Sequence, residues 1–95
     1  MRPRRAISID AGCGEAHLML GYVQLREDHL ADALASFRKA CALDAKDTVG
    51  LCMTGYVLEK TGRRELAVRY YAQALKIKPG DELATKLMAS VDLHE

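Results

Sequence analysis

The chain has no tryptophan, one phenylalanine and two prolines in 95 residues, and aromatics make up only 5% of it. With so few rings for bases to stack on and no long basic tract, nucleic-acid binding has little support. Neither sign of charge dominates. The formal net charge of +1 creates no general field favouring nucleic acid or an anionic membrane. Arg2, Arg4 and Arg5 are a local basic run, and at a chain end such a run reads as a solvated terminus. Long apolar runs are also missing. Ala6-Ile7-Ser8-Ile9-Asp10 falls short of the roughly 7–15 apolar residues of a secretory signal. Nothing approaches the roughly 18 apolar residues of a membrane span.

Cysteine is sparse as well. Cys13, Cys41 and Cys52 are odd in number and form no C-x-x-C pair, which argues against a disulfide framework. Thiols inside helical patterns fit a reducing compartment, so a cytoplasmic location is expected. The histidines, His17, His29 and His94, form no H-x-x-x-H pair, and no His and Cys share metal-ligand spacing. The glycines form no phosphate loop, because no strand leads into them. Gly12-Cys13-Gly14 reads as a turn between hairpins. No catalytic residue, metal or cofactor is expected. A metal-binding or enzymatic role for the Cys/His set is the most distant alternative.

What the chain does have is a period. Gly21-Tyr22-Val23 recurs 34 residues later as Gly55-Tyr56-Val57. Ala33 returns as Ala67, Phe37 as Tyr71 and Ala40 as Ala74. A fixed period in this range is the signature of a stacked repeat. Each unit reads as two helices. In the first, Leu18, Tyr22 and Leu25 share one face while Ala16, Leu20 and Val23 share another, as in a helix packed on both sides. The pattern predicts helices over Glu15 to Glu27, Leu30 to Leu43, Val49 to Lys60, Glu65 to Ile77, and Glu82 to about Leu93. Asp28 is expected to cap the second helix, Gly62 to end the third, Pro79-Gly80 to stop the fourth, and Asp81 to cap the fifth. Short connections make neighbouring helices antiparallel. Small residues at Gly21 and Ala33, and at Gly55 and Ala67, let the two helices of a hairpin approach. Phe37 and Tyr71 are expected to fill the gap between successive hairpins.

These residues resemble the tetratricopeptide repeat family, whose 34-residue pattern is W-x2-L-G-x2-Y, then A-x3-F, then P. Leu20-Gly21, Ala33 and Phe37 match it in the first unit, and Gly55, Ala67, Tyr71 and Pro79 in the second. His17 and Leu51 replace the tryptophan, Thr54 the leucine, Gln24 and Leu58 the tyrosine, and Ala45 the proline. The resemblance covers about residues 14–81. It implies an all-α, right-handed superhelical array of antiparallel helix hairpins, with repeats over 14–47 and 48–81. Residues 82–95 then form a capping helix or the first helix of a third repeat. Arg5 to Asp10 parallels Lys39 to Asp44, so residues 1–13 read as the end of a preceding repeat's helix or as an N-terminal tail. On that register the chain is expected to be a piece of a longer scaffold or co-chaperone-like protein.

The resemblance also implies a function: a partner lies along a concave groove lined by the first helices. The register supplies the rows Glu15/Val49/Leu83, Leu18/Cys52/Lys86, Met19/Met53/Leu87, Tyr22/Tyr56/Ser90 and Arg26/Lys60/His94. The candidate groove residues are Leu18, Met19, Tyr22, Arg26, Val49, Cys52, Met53, Tyr56, Lys60 and Lys86. The plainer reading of Met19 and Met53 is packing inside their own hairpins. The expected partner is a protein or peptide, bound without catalysis, with an apolar centre and an acidic flank facing Arg26 and Lys60. Neither nucleic acid nor membrane is expected. Relatives that clamp a chaperone's C-terminal carboxylate carry Lys and Asn where this chain has Leu18, Tyr22 and Met53. Only Lys86 would serve, and a carboxylate needs converging donors. The alternative function is self-assembly into a homo-oligomer through exposed array ends, Leu83, Leu87 and Val91 at one and Ile7 and Ile9 at the other.

Overall fold

The computed structural model describes residues 14–92. The expectations for Arg2 to Cys13, Leu93 and His94 therefore lie outside the described residues. Five helices follow in order: α1 (Gly14–Arg26), α2 (Leu30–Leu43), α3 (Thr48–Lys60), α4 (Arg64–Ile77) and α5 (Glu82–Asp92). The first four begin and end within one residue of the helices predicted from the pattern. There is no strand among the described residues. The helices α1 and α2 form one hairpin, α3 and α4 a second, α2 packs on α3, and α5 packs on both α3 and α4.

Two kinds of joint alternate along the chain. Within each hairpin the turn closes by a Schellman motif. At the end of α1, His29 N–H donates to Gln24 C=O at 2.8 Å and Asp28 N–H to Leu25 C=O at 3.0 Å. At the end of α3, Arg63 N–H donates to Leu58 C=O at 2.8 Å and Gly62 N–H to Glu59 C=O at 3.0 Å. Each motif needs one left-handed residue. Gly62 supplies it with φ +89, and Asp28 supplies it with φ +64. This corrects the reading of Asp28: it closes α1, and His29 occupies the N-cap of α2 without a side-chain cap bond. Between hairpins the joint is an aspartate cap. The Asp47 carboxylate accepts from Gly50 N–H at 3.0 Å, and that of Asp81 accepts from Ala84 N–H at 2.8 Å. Asp81 fulfils its predicted role, and its partner Asp47 lies one period earlier.

The core is continuous across these joints. Ala33, Phe37 and Val57 are fully buried together, with Leu18, Leu25, Leu30, Leu34 and Met53 packed around them. Leu58, Ala67, Tyr71 and Val91 repeat the arrangement one unit later. Leu51, Cys52, Ala74 and Ala84 fill the space beneath α5. Phe37 and Tyr71 do bridge successive hairpins, but each ring also lies on the glycine of its own hairpin. A Cβ added at Gly21 would sit 2.6 Å from the Phe37 ring, and one at Gly55 would sit 2.6 Å from the Tyr71 ring. The glycines are small for the aromatic ring, more than for the alanine across the hairpin.

Candidate protein-binding groove

The first helices α1, α3 and α5 present the groove rows, and the structure separates them into three groups. Met19, Tyr22, Arg26, Val49, Lys60, Leu83 and Lys86 are exposed. Leu18, Met53 and Tyr56 are half-buried, with Leu18 and Met53 packed on the cluster around Phe37. Cys52 is wholly buried, which removes it from the expected lining. The N-terminus of α5 covers it, and its thiol donates to the Asp81 carboxylate at 3.8 Å. Burial, then the charge of Asp81 and that hydrogen bond, push this thiol up to about 12. Burial also raises Cys41, so both described thiols are unreactive at neutral pH.

The two tyrosines are held differently. The Tyr22 ring meets Phe37 edge-on, with centroids 5.6 Å apart and planes at 73°, a favourable aromatic geometry. Its phenol is raised by partial burial and then by the charge of Asp47. The Tyr56 ring carries Lys60, one turn later, with Nζ 5.4 Å from its centroid, within cation–π range. This ammonium rests on the ring instead of reaching away from it. The groove therefore has a direction. Asp47 and Asp81 cap its helices at their N-termini, while Arg26 and Lys60 stand at the C-terminal ends of α1 and α3. The sequence reading expected a basic end at Arg26 and Lys60 and did not weigh the aspartates at the other end. The signal was present in the pair Asp47/Asp81, repeating at the same 34-residue spacing as the tyrosines.

Other expectations fare unevenly. Val91 is buried and Leu87 packs against two core clusters, so neither forms an exposed array end. Only Leu83 of that trio is exposed. The reason is the phase of α5, which turns Ala84, Leu87 and Val91 onto α3 and α4. His17 is half-buried, and its Nε2 is enclosed without a hydrogen-bond partner among the described residues. Among the described residues no group of three or more His, Cys, Asp or Glu side chains could hold a metal ion, and no helix is long and apolar enough to cross a membrane.

The tetratricopeptide repeat family model matches residues 14–47 and 50–81. The chain belongs to the tetratricopeptide repeat family. Its repeats indicate a protein–protein interaction module. Among solved structures, the crystal structure of MamA superposes with a TM-score of 0.84 at 23% sequence identity. The match covers 93% of this chain but only 52% of MamA, so the chain spans about half of that protein's length. At this identity the likeness concerns the fold. No curated protein matches the chain.

Proposed function

We propose that this tetratricopeptide array binds an extended or helical protein segment across α1, α3 and α5, without catalysis. One observation carries the reading: accessible Tyr22 and Tyr56 stand one period apart, each with a cation one turn later, Arg26 and Lys60. Tyrosine offers area with little entropy to lose and one polar handle. Met19 and Val49 extend the apolar surface. The partner's apolar centre lies on these residues and its acidic flank faces Arg26 and Lys60. The opposite, aspartate-capped end disfavours a second acidic flank. Half-buried Leu18 and Met53 supply no donors for a carboxylate clamp, which leaves Lys86 alone on that side. The unpaired thiols Cys41 and Cys52 support a cytoplasmic setting.

The test is selection from a displayed peptide library followed by titration. Enriched peptides should pair an apolar core with one acidic end. Tyr22→Ala/Tyr56→Ala should weaken binding by roughly tenfold or more, as loss of two central aromatic anchors does. Arg26→Ala/Lys60→Ala should reduce the salt dependence. Peptides bound equally well by the tyrosine double variant would refute this surface.

A further inference from the structure

The two units differ in kind at one place on the second hairpin. On α4, Leu66, Arg69, Tyr70 and Gln73 follow the spacing of a single helix stripe. With Leu51 of α3 they line an open notch of about 240 Å3. Leu66 is 40% exposed, Tyr70 is half-buried, and the deeper Leu51 is 7% exposed. One period earlier the positions of Leu51, Leu66, Arg69, Tyr70 and Gln73 hold His17, Asp32, Ala35, Ser36 and Lys39. The first hairpin folds with polar or small side chains there, so the repeat architecture does not require the leucines and the tyrosine. Leu51 is about half a turn round α3 from Val49, Met53, Tyr56 and Lys60, which sets the notch apart from the proposed groove.

The chemistry of the notch specifies an occupant. Leu51 stands where the repeat pattern has tryptophan, and this chain contains no tryptophan at all. The space suits one large side chain, being smaller than the roughly 300–1,000 Å3 of a small-molecule pocket. Leu51 and Leu66 supply apolar walls, and Tyr70 supplies a ring for edge-on or offset packing. The Tyr70 hydroxyl and the Gln73 amide have no hydrogen-bond partner among the described residues, and either can accept from an indole N–H. At the rim Arg69 is exposed and makes no ion pair among the described residues, not even with Glu65 one turn before it. We propose that this notch receives a tryptophan side chain of a partner protein, with a carboxylate of the same segment on Arg69. A second copy of this chain is not the occupant, because it has no tryptophan to offer.

The probe is a capped five-residue peptide holding one tryptophan followed by two glutamates. The protein has no tryptophan of its own, so indole fluorescence reports the peptide alone. Titration with the full chain should give a saturable blue shift, and labelled methyl groups should respond at Leu51 and Leu66. Leu51→Trp fills the notch from within the chain and should abolish the response at Leu66. Leu66 is 40% exposed, so Leu66→Gln should keep the fold and weaken the peptide by roughly threefold or more. Arg69→Gln, or glutamine for glutamate in the peptide, should weaken it by roughly two- to fivefold, and both changes together by no more than either alone. Tyr22→Ala/Tyr56→Ala should bind the probe like the unaltered chain, which separates this site from the groove. Four results would overturn the proposal. They are no saturation up to about 5 mM peptide, where millimolar affinity would register; full affinity in both Leu51→Trp and Leu66→Gln; equal affinity for the glutamine peptide; and loss of binding in the tyrosine double variant.

Discussion

Replacing Gly21 or Gly55 by alanine sets two effects of known sign against each other. In a solvent-facing helix, Gly→Ala stabilises by about 1 kcal/mol through helix propensity. Here the added Cβ meets a buried ring. At Gly21 it would lie 2.6, 2.7 and 2.8 Å from three carbons of Phe37, about 1 Å inside the favourable carbon–carbon separation. Phe37 is 0% exposed, and overpacking of this kind costs about 1–3 kcal/mol. Gly21→Ala should therefore destabilise by about 1 kcal/mol net. Gly55→Ala should cost more. Its Cβ meets not only the Tyr71 ring at 2.6 Å but also the Ala67 carbonyl oxygen at 3.1 Å, a backbone atom that cannot rotate aside. The Tyr71 ring is further restrained by its hydroxyl, which donates to the Glu59 carboxylate at 2.9 Å. A net loss of about 2 kcal/mol follows. Urea denaturation should show a lower midpoint with an unchanged slope. Phe37→Leu should relieve part of the Gly21→Ala loss in a double-mutant cycle. Gly14→Ala, whose nearest neighbour is 3.5 Å away, should be neutral or stabilising. If Gly21→Ala and Gly55→Ala stabilise like exposed helix glycines, the ring-on-glycine packing is wrong.

The joints give further tests. Asp28→Gly should raise the urea midpoint, by about 0.5–1 kcal/mol of stability, because it removes a left-handed non-glycine residue where Gly62 stands one period later; Gly62→Ala should lower it by a similar amount. Asp47→Ala and Asp81→Ala should each cost about 1 kcal/mol of stability as lost N-caps. The Asp81 change should be the larger, since that side chain is 8% exposed and also accepts from the Cys52 thiol; equal tolerance of both would count against the capping geometry. Alkaline pH should destabilise the fold through Cys52. Its folded value is about 12 against an ordinary 9.0, so the unfolded chain ionises first and the contribution, complete below pH 9, declines as pH rises towards 12. The slope is at most about 1.4 kcal/mol per pH unit, and Cys52→Ala should flatten it in melts followed by circular dichroism.

Periodicity made most of the fold legible. Gly21/Gly55, Ala33/Ala67 and Phe37/Tyr71 established the repeat, and apolar spacing placed the helix ends to within one residue. Asp28 was misread because Asp before a helix is a common cap, and nothing local distinguishes a cap from a left-handed closing residue. Comparison with Gly62, 34 positions on, contained the answer. The groove was legible only in part. A register states which residues are equivalent, not which way they point. Tyr22 and Tyr56 are both accessible, but Cys52 and Leu18 share a row and differ in burial, because α5 packs on α3 directly and its N-terminal Asp81 lies against Cys52. Met19 and Met53 differ for the converse reason, α2 covering only the second.

That last contrast bears on how the array works as a whole. Both α3 and α5 pack an apolar face on the hairpin before them, so a unit is completed by its neighbour. The interior joint is fixed three times over: by Phe37 reaching from Gly21 to the Val57 cluster, by the Asp47 cap, and by the Thr54 hydroxyl, which donates to Gly50 C=O at 2.7 Å and lies 3.7 Å from the Cys41 sulfur. The joint to α5 is fixed in the same manner by Tyr71, the Asp81 cap and the Cys52 thiol. The residues proposed for binding therefore sit on helices whose relative positions are set by buried contacts elsewhere on the same helices. Tyr56, Arg26 and Lys60 can then be exchanged for other side chains without disturbing the spacing between helices, whereas Tyr22 also packs edge-on against Phe37. On α3 the residues proposed for recognition and the residues of the buried joints occupy different faces.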